Sequence, residues 1–407
     1  MRRVDVNVGQ RVILRKVVLF LSKNAMPRRV LFMRLVFSFL LLLCVMAWDA
    51  YCRPATGPAR AVWTSSGVTH QPLVFQSRGH IPMPANTPAA HASSLVAMPL
   101  DSPYALMAFW FAGAKESAPD IGIAASAFDR HSKSWVAARF VVDRQALGRA
   151  LGFGVRRLGN PVAWLDARQR LHLFVVATGL GGWAASRIVH LRQTSNGSLL
   201  SELSFEPERV LPLSWFWNTS FLVRTAPMPL QDGGMVLPVH FELGIKYPVA
   251  LRFDASGVFS GMVRMSRRTH LLQPTLVVQD ESHWLALLRD QRAEGRVGLV
   301  QTLDGGQHWQ DLPDLPLVNP DASVAGLGLA PGRMVLAHNT SAHSRNLLDL
   351  SQSSDGLHWS SLQPLAQGAG TDEYSYPAMV WADDSLWVSY TDQRQRIAWQ
   401  RFGTQPE

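Results

Sequence analysis

The sequence predicts an all-β protein built from repeated four-stranded blades, which is the arrangement of a β-propeller. The main signal is a pair of short segments, residues 302–309 and 353–359, that fit the pattern S/T-x-D-x-G-x-x-W, the second with one residue fewer. In such a segment the aspartate accepts hydrogen bonds from the turn's backbone, the glycine permits a positive φ, and the tryptophan packs beneath a β-hairpin. Two copies at a fixed period, each between strand-like runs, indicate a repeated structural unit.

These Asp-box motifs have degenerate echoes earlier in the chain. The turn-forming Asp or Asn positions lie 67, 58, 50 and 51 residues apart, at Asp129, Asn196, Asp254, Asp304 and Asp355. This spacing suits propeller blades with some longer inserts. Strand-like runs lie between the turns, for example at residues 171–176, 284–288 and 386–390. Outside the N-terminal segment, only residues 144–153 predict a short helix.

A basic N-terminal segment accounts for the net charge of the chain. The formal net charge is +9 over 407 residues. Residues 1–34 contain nine Lys or Arg and one Asp and so carry a net charge of +8, which leaves about +1 for the rest of the chain. The rest of the chain is nearly neutral, and the sequence therefore predicts no nucleic-acid partner.

An uncharged run, residues 35–48, follows the basic segment. A basic stretch before a short apolar run is typical of a secretory signal or a signal anchor. Fourteen residues are short for a membrane span, which favours a signal peptide, whereas adding residues 30–33 gives a longer span that includes Arg34. A start at Met26 or Met33 is an alternative to the long leader. Each alternative predicts export to the periplasm, with the inner membrane as a partner if the leader is not cleaved.

Composition divides the chain into a leader (residues 1–52), a linker rich in Pro, Ala, Ser and Gly (residues 53–70) and the propeller domain (residues 71–407). Cys44 and Cys52 both lie in the leader, so the domain has no internal disulfide. The sequence contains no H-E-x-x-H, no C-x-x-C and no clustered acidic loop of the calcium type. It therefore predicts neither a metal nor another cofactor.

Eight short motifs accompany the predicted strands. In chain order they are His91-Ala92-Ser93-Ser94-Leu95-Val96, Gly113-Ala114-Lys115-Glu116-Ser117-Ala118-Pro119-Asp120, Gly159-Asn160-Pro161, Gln273-Pro274-Thr275-Leu276, Leu288-Arg289-Asp290, Asn319-Pro320-Asp321, Arg345-Asn346-Leu347-Leu348 and Glu373-Tyr374-Ser375-Tyr376-Pro377. Together they resemble the sialidase-like propellers, in the predicted-neuraminidase branch with Asp-box repeats. The resemblance spans residues 75–403 and implies a six-bladed β-propeller whose site lies at its central mouth.

The resemblance implies a clamp for a sugar carboxylate, because sialidases hold that group with three arginines. Arg289 falls at the second clamp position and Arg345 at the third, and a guanidinium fork binds a carboxylate bidentately. His91 stands where the first arginine is expected, and a protonated histidine can still hold a carboxylate. The alternative for each arginine is a surface ion pair with Asp290 or Asp349.

The resemblance also implies a catalytic pair, with Tyr374 at the nucleophile position and Asp120 at the acid/base position. A tyrosine avoids repulsion from the substrate's carboxylate, but a free tyrosine has a pKa of about 10 and needs a base or cationic neighbours. One alternative makes Tyr374 a packing aromatic, with Tyr376 on the other face of its strand. The alternative for Asp120 is a turn-capping aspartate.

One departure concerns the activation of the tyrosine. Gln273 stands where the resemblance implies a glutamate, and a glutamine cannot accept a proton. Glu116 and Glu242 are candidate replacements if the fold brings them to the mouth, and Glu242 is the better candidate for an inward-facing side chain. Asn319, from the Asn319-Pro320-Asp321 motif, and Glu116 join the two arginines as candidate substrate-binding residues.

These residues predict an exported glycoside hydrolase of the exo-α-sialidase type that acts on an acidic-sugar glycan. Two other functions remain open. With His91 and Tyr374 as base and acid, β-elimination beside a uronate carboxylate would make the protein a polysaccharide lyase. A propeller that binds an acidic glycan without turnover is the third hypothesis, because a fold does not determine a function.

Overall fold

The computed structural model describes residues 28–52, 57–63, 71–115, 118, 120–194 and 199–404. The chain divides into two compact units, Met1–Arg53 and Pro54–Glu407. In the first unit, Arg28–Cys52 form helix α1, of which Arg29–Cys52 is long and apolar enough to cross a membrane. The helix extends beyond the uncharged run of residues 35–48 and includes Arg34. Its length is compatible with either a signal sequence or an anchor.

The second unit is a six-bladed β-propeller, as the sequence predicts. Each blade is an antiparallel sheet, and blades one to five each use consecutive strands. The first strand of the chain, β1 (Val74–His80), belongs to the last blade. Blade one contains β2 (Ala89–Ala97), β3 (Tyr104–Gly113), β4 (Gly122–Asp129), β5 (Ser134–Trp135) and β6 (Arg139–Val142). Blade two contains β7 (Arg157–Leu165), β8 (Leu171–Thr178), β9 (Ser186–Gln193) and β10 (Phe205–Val210).

The other blades follow the same order from the centre to the rim. Blade three contains β11 (Phe221–Val223), β12 (Met228–Pro229), β13 (Met235–Leu243), β14 (Ile245–Phe253) and β15 (Phe259–Arg264). Blade four contains β16 (Leu271–Val278), β17 (Trp284–Asp290), β18 (Gly298–Thr302) and β19 (Gln310–Leu312). Blade five contains β20 (Ala325–Ala330), β21 (Arg333–Asn339), β22 (Leu347–Ser353) and β23 (Ser360–Gln367). Blade six contains β24 (Tyr374–Ala382), β25 (Ser385–Asp392), β26 (Arg396–Gly403) and β1.

Strands from the two ends of the domain close the ring. The outermost strand β1 pairs antiparallel with β26, from Val74 opposite Gly403 to His80 opposite Ala398. At the centre, β2 contacts both β7 of blade two and β24 of blade six. The blades therefore form a closed circle, and a closed circle of sheets leaves only short outer edges exposed.

The second strand of a blade is apolar on both faces because each face packs against a neighbouring blade. In β3, Met107 and Phe109 pack with residues of blade two, whereas Leu106 and Trp110 pack with residues of blade six. Every residue of β3, β8 and β25 is buried. Such strands are continuous apolar runs without alternation, and the three runs predicted at 171–176, 284–288 and 386–390 lie in β8, β17 and β25.

The Asp-box segments form the hairpins between the third and fourth strands of blades four and five. Asp304 Oδ1 accepts two backbone N–H bonds of its turn, at 3.0 and 2.9 Å, and Asp355 Oδ1 accepts two at 2.8 Å. Asp129 and Asp254 hold the corresponding hairpins of blades one and three in the same way. The predicted turn at Asn196 lies outside the described residues. The local hydrogen bonding expected from the motif is therefore confirmed at four hairpins.

A short helix connects blades one and two. Arg144–Leu151 form helix α2, close to the bounds that the sequence predicts. The Asp143 side chain caps its first turn by accepting a hydrogen bond from the Ala146 N–H at 2.7 Å, and Gly152 ends the helix with φ 70°. Both ends follow ordinary capping chemistry.

Part of the predicted linker is packed against the propeller. The Ala59 N–H donates to the Gly305 carbonyl at 3.1 Å, and the Ala61 N–H donates to the Glu281 carbonyl at 2.7 Å. Both alanines are buried. Residues 57–63 thus form an arm on the Asp-box hairpin of blade four and are not a free tether. Small residues favour a linker in the sequence, but here they permit a close approach of two backbones.

Replacing Gly305 by alanine is expected to detach this arm. Gly305 has φ +67°, and a Cβ there would lie 2.1 Å from the Ala59 carbonyl oxygen. Gly332 has φ +66°, and a Cβ there would meet nothing closer than 3.9 Å, so Gly332→Ala carries similar backbone strain without the clash. We expect Gly305→Ala to lower the free energy of unfolding by about 2 kcal/mol more than Gly332→Ala in urea denaturation. Equal losses in the two variants would contradict the docked arm.

Candidate functional site

Three of the predicted site residues lie on connections at one end of the propeller. In an antiparallel blade, the loop between the second and third strands lies at the same end as the link to the next blade. The Asp-box hairpins lie at the opposite end. We call the first end the mouth; its loops include residues 179–185, 291–297 and 340–346. Asp120, Arg345 and Asn319 lie on such loops or links, so the topology places these three residues at the mouth.

An unusual backbone conformation recurs where the inner strands begin at the mouth. In five blades one residue has a φ between +43° and +54°; these residues are Ala92, Asn160, Gln273, Asp321 and Tyr376. In four of the inner strands the ladder shifts register at that point, which is a β-bulge. Non-glycine residues rarely adopt this conformation, and it costs about 1–3 kcal/mol. Its repetition around the centre of the ring makes this end of the inner strands the candidate site.

Three of these five residues contact one guanidinium group, that of Arg289. Its Nε donates to Asp321 Oδ1 at 2.7 Å, and its Nη1 donates to Gln273 Oε1 at 3.1 Å and to the Tyr376 hydroxyl at 3.4 Å. The Arg289 side chain is only 12% exposed, whereas that of Asp321 is 45% exposed. The alternative of a surface pair with Asp290 does not apply, since Asp290 pairs with Arg292. Arg289 therefore lies at the centre of a cluster that it forms with Gln273, Asp321 and Tyr376.

Tyr376 lies among positively charged groups. The guanidinium carbons of Arg224 and Arg345 lie 5.1 and 5.9 Å from its ring centre, and Arg289 donates to its hydroxyl. The His91 ring is 4.3 Å away, centre to centre. One guanidinium group thus contacts the phenolic oxygen of Tyr376, and two others lie against its ring.

Tyr374, the predicted nucleophile, is placed differently. Its ring packs at 6.3 Å from that of Tyr390, within the apolar cluster of blades five and six. Its backbone N–H donates to the Arg345 carbonyl at 2.8 Å, and its own carbonyl accepts a bond from Asn339. The structure thus places Tyr376 in the cluster instead of Tyr374. The bulge between Ser375 and Ala378 is the reason, because it breaks the alternation on which the choice of strand face depends.

Arg224 also lies in the cluster, although no motif in the sequence points to it. It comes from blade three and crosses to the opposite side of the ring, where it donates to the Ser93 carbonyl at 3.2 Å and the Pro377 carbonyl at 2.9 Å. It is 2% exposed, and burial lowers its pKa to about 10. It remains a cation at neutral pH and supplies a fixed positive charge beneath Tyr376. A single arginine after a short strand carries no sequence signal of this position.

His91 does not supply the third positive charge of a clamp. Burial lowers the pKa of its imidazole to about 3, and the nearby guanidinium of Arg394 lowers it further. His91 is therefore neutral at neutral pH, so the prediction that it holds a carboxylate as a cation is not supported. Its Nδ1 has no hydrogen-bond partner among the described residues.

Arg345 belongs to a second group of charged side chains, beside Arg289. It donates to Glu373 Oε1 at 3.2 Å and, through Nη2, to the Asp321 carbonyl oxygen. Arg394 also holds Glu373, with bonds of 2.7 and 3.1 Å. Burial raises the pKa of Glu373, but hydrogen bonds from Arg394 and Ser375 outweigh it and hold the pKa at about 2. Two arginines thus share one ionised carboxylate.

Glu242, proposed from the sequence as a replacement base, is engaged elsewhere. Its carboxylate binds Lys246 at 2.8 Å and the buried His240 at 3.3 Å. Burial raises its pKa, but the hydrogen bonds from His240 and Lys246 lower it to about 2. A carboxylate with so low a pKa is a weak proton acceptor, which argues against Glu242 as the base.

The remaining candidates have different positions. Asp120 is exposed at the mouth and accepts a hydrogen bond from the Ala114 N–H at 2.9 Å, so it caps its own loop. Asn319 is fully buried. Its side-chain NH2 donates to the Ala322 carbonyl at 2.9 Å, and its side-chain oxygen accepts from the Ala322 N–H at 3.0 Å. It positions the chain and cannot touch a substrate from there. Glu116 lies outside the described residues.

Buried histidines predict sensitivity to acid. Burial lowers the pKa of His91 and of His190 to about 3 and that of His338 to about 4. Because these values are below the unfolded value of about 6.5, their contribution is complete above that pH and is lost as the pH falls toward the folded pKa. We expect each to cost on the order of 2 kcal/mol at pH 4.5.

Thermal unfolding between pH 7 and pH 4.5 tests this expectation. His190→Gln is expected to show a smaller decrease in melting temperature than the unmodified chain over that range. His343→Gln, at an exposed position, should keep the original decrease. Identical pH dependence in His190→Gln and the unmodified chain would contradict the assignment.

Comparisons with known proteins identify the family and the fold of the propeller. Residues 104–388 match the family model described as BNR repeat-like domain. No curated protein matches the sequence. Among the described residues, no group of three or more His, Cys, Asp or Glu side chains could hold a metal ion.

Several solved structures share the fold at low identity. The Hadza microbial sialidase Hz136 is 15% identical, with a TM-score of 0.62 over 77% of this chain and 65% of that chain. Trypanosoma rangeli sialidase is 14% identical, with a TM-score of 0.59 over 82% of this chain and 60% of that chain. A Dyadobacter fermentans protein of unknown function is 11% identical, with a TM-score of 0.63 over 81% of this chain and 99% of that chain. The chain therefore spans about two thirds or less of the length of the two sialidases. It belongs to the BNR repeat-like domain family, and its fold is a sialidase-like six-bladed β-propeller.

Proposed function

We propose that this protein is an exported glycoside hydrolase that removes an acidic sugar from a glycan, with Tyr376 as its nucleophile. The observation that carries the proposal is the position of Tyr376. Its hydroxyl accepts a hydrogen bond from Arg289, and its ring centre lies within 6 Å of the guanidinium carbons of Arg224 and Arg345. Arg289 donates directly to the phenolic oxygen, and Arg224 and Arg345 add positive charge beside the ring, so the three groups would favour negative charge that develops on the nucleophile during the reaction. They also favour a substrate that brings a carboxylate.

Each step of the proposed reaction uses a residue of the mouth. Arg289 and Arg345 bind the sugar's carboxylate. Tyr376 Oη loses its proton to solvent and forms a bond to the anomeric carbon as the glycosidic C–O bond breaks. Asp120, in its protonated form, gives its proton to the leaving oxygen. In the second step a water molecule bonds to the anomeric carbon as the bond from that carbon to Tyr376 Oη breaks, Asp120 takes the proton of the water, and Tyr376 leaves as the phenolate. Gln273 cannot take the phenolic proton, so in this proposal the surrounding positive charge replaces the missing carboxylate.

Binding without turnover is the second candidate function. Gln273 stands at the position of the expected glutamate, and Arg289 is already paired with Asp321. Both observations favour a site that holds a glycan without cleaving it. The lyase hypothesis has less support, because the low pKa of His91 makes it a poor proton acceptor at neutral pH.

Export is part of the proposal. Helix α1 is long and apolar enough to be a signal or an anchor, and it precedes the propeller in the chain. We propose that the propeller works in the periplasm, released if the leader is cleaved and attached to the inner membrane if it is retained.

One assay separates the candidate functions. The full-length chain is incubated with a panel of glycans ending in sialic acid or in a uronic acid, and released sugar and ultraviolet absorbance are followed together. Release of an acidic sugar without new absorbance would support the hydrolase. A rise in absorbance would identify a lyase, and binding with neither signal would leave a glycan-binding propeller.

A further inference from the structure

Asp321 lies between the two clamp arginines. Its Oδ1 accepts from Arg289 Nε at 2.7 Å, and its main-chain oxygen accepts from Arg345 Nη2. The Asp321 side chain is 45% exposed at the mouth, while those of Arg289 and Arg345 are 12% and 18% exposed. A carboxylate of the protein thus occupies the exposed side of the buried guanidinium.

The backbone holds Asp321 in this place. It has φ +51°, a conformation that Asp and Asn tolerate better than most residues. Its N–H donates to the Asn319 carbonyl at 2.9 Å. The buried Asn319 side chain in turn binds the backbone of Ala322. Because these bonds hold the backbone at Asn319, Asp321 and Ala322, the Asp321 carboxylate is presented to Arg289 at a defined position.

The same carboxylate blocks part of the surface that an acidic ligand needs. An arginine binds a carboxylate best through two parallel N–H bonds. On Arg289, Nε is taken by Asp321, and Nη1 faces Gln273 and Tyr376. A ligand carboxylate can therefore bind the fork formed by Nε and Nη2 of Arg289 only by displacing the Asp321 side chain.

We propose that Asp321 is a specificity-determining residue, a built-in competitor for the carboxylate of an incoming acidic sugar. This inference rests on the proposed acidic substrate. A ligand that contacts Arg289 alone gains little, because it replaces one carboxylate with another. A ligand that reaches Arg289 and Arg345 together gains a second charge-assisted contact and can displace Asp321. The site thereby selects acidic sugars by shape as well as by charge.

The test is Asp321→Asn, which removes the charge and keeps both the size and a side chain suited to a positive φ. Binding of N-acetylneuraminic acid, glucuronic acid and galactose to the full-length protein is measured by calorimetry. We expect the Kd of at least one acidic sugar to fall by about tenfold or more, with no change for galactose. Asp314→Asn is the matched control, since Asp314 pairs with Arg292 at 2.8 Å in the charge network of blade four. It should leave the affinities unchanged.

A second variant checks that the gain passes through Arg289. Adding Arg289→Met to Asp321→Asn should abolish the tighter binding, and a gain that persists would overturn the inference. Unchanged or weaker binding in Asp321→Asn would also overturn it.

If the unmodified protein releases an acidic sugar while Asp321→Asn binds it no better, the inference fails and the hydrolase stands. If Asp321→Asn binds acidic sugars more tightly but neither protein hydrolyses a glycan, the inference stands and the hydrolase fails. If neither protein binds an acidic sugar, the inference fails together with the acidic substrate.

Discussion

The Tyr376→Phe variant is expected to lose turnover of an acidic glycan by at least about a thousandfold in kcat. The substitution removes one oxygen atom and keeps the ring that contacts His91 and Arg224. Folding and substrate binding should therefore change little, and the loss should fall on kcat and not on KM. Release of the acidic sugar under saturating substrate is the measurement, with the melting temperature as a check on folding.

Tyr374→Phe is the matched control, because it makes the same chemical change two residues away. Its ring packs in the apolar cluster beside Tyr390. We expect this variant to keep kcat within about threefold of the unmodified protein, as expected for a substitution that leaves apolar contacts in place. The reverse result, with Tyr374→Phe inactive and Tyr376→Phe active, would return the nucleophile to the position predicted from the sequence.

The Arg345→Met variant is expected to lose about a hundredfold in kcat/KM for an acidic substrate, or about 2.7 kcal/mol. Methionine retains much of the side-chain length but cannot hold a carboxylate. The substitution should not disturb the charge balance around Glu373, because that carboxylate keeps its bonds from Arg394 and Ser375 and is not left as an unpaired buried charge. Steady-state kinetics on the same glycan measure the effect.

Arg396→Met provides the control for Arg345→Met. Arg396 begins β26 in blade six, where its side chain is 52% exposed and pairs with Asp392 at 3.6 Å. A surface pair of this kind contributes little, so kcat/KM should not change. An equal loss in both variants would indicate a general effect of positive charge and would argue against a specific carboxylate contact at Arg345.

The architecture could be predicted from the sequence because its signals are local. Asp304 and Asp355 bind the backbone of their own hairpins, within four residues, so their motif is informative without any knowledge of the rest of the fold. The blade period follows from the spacing of such turns. The clamp positions Arg289 and Arg345 come from a resemblance, and the structure brings them together at Asp321.

The parts that could not be predicted depend on distant contacts or on irregular backbone. Alternation along a regular strand places Tyr374 and Tyr376 on the same face, so the expectation that the two rings lie on opposite faces does not follow from alternation; the bulge between Ser375 and Ala378 is what separates them. Arg224 reaches carbonyls of blades one and six, more than 130 residues away in each direction. The low pKa of His91 follows from burial, which no local pattern reveals.

The pairing of β1 with β26 makes completion of the site dependent on the end of the chain. Strand β1 is made early, but its partner is the last strand of the domain. Contacts between such distant segments form slowly, and until then β1 has an unpaired edge. Tyr376 and Arg394 both belong to the blade that this pairing seals. A chain that stops before β26 would therefore lack the ring closure that holds Tyr376, so the site is expected to form only after β26 has been made.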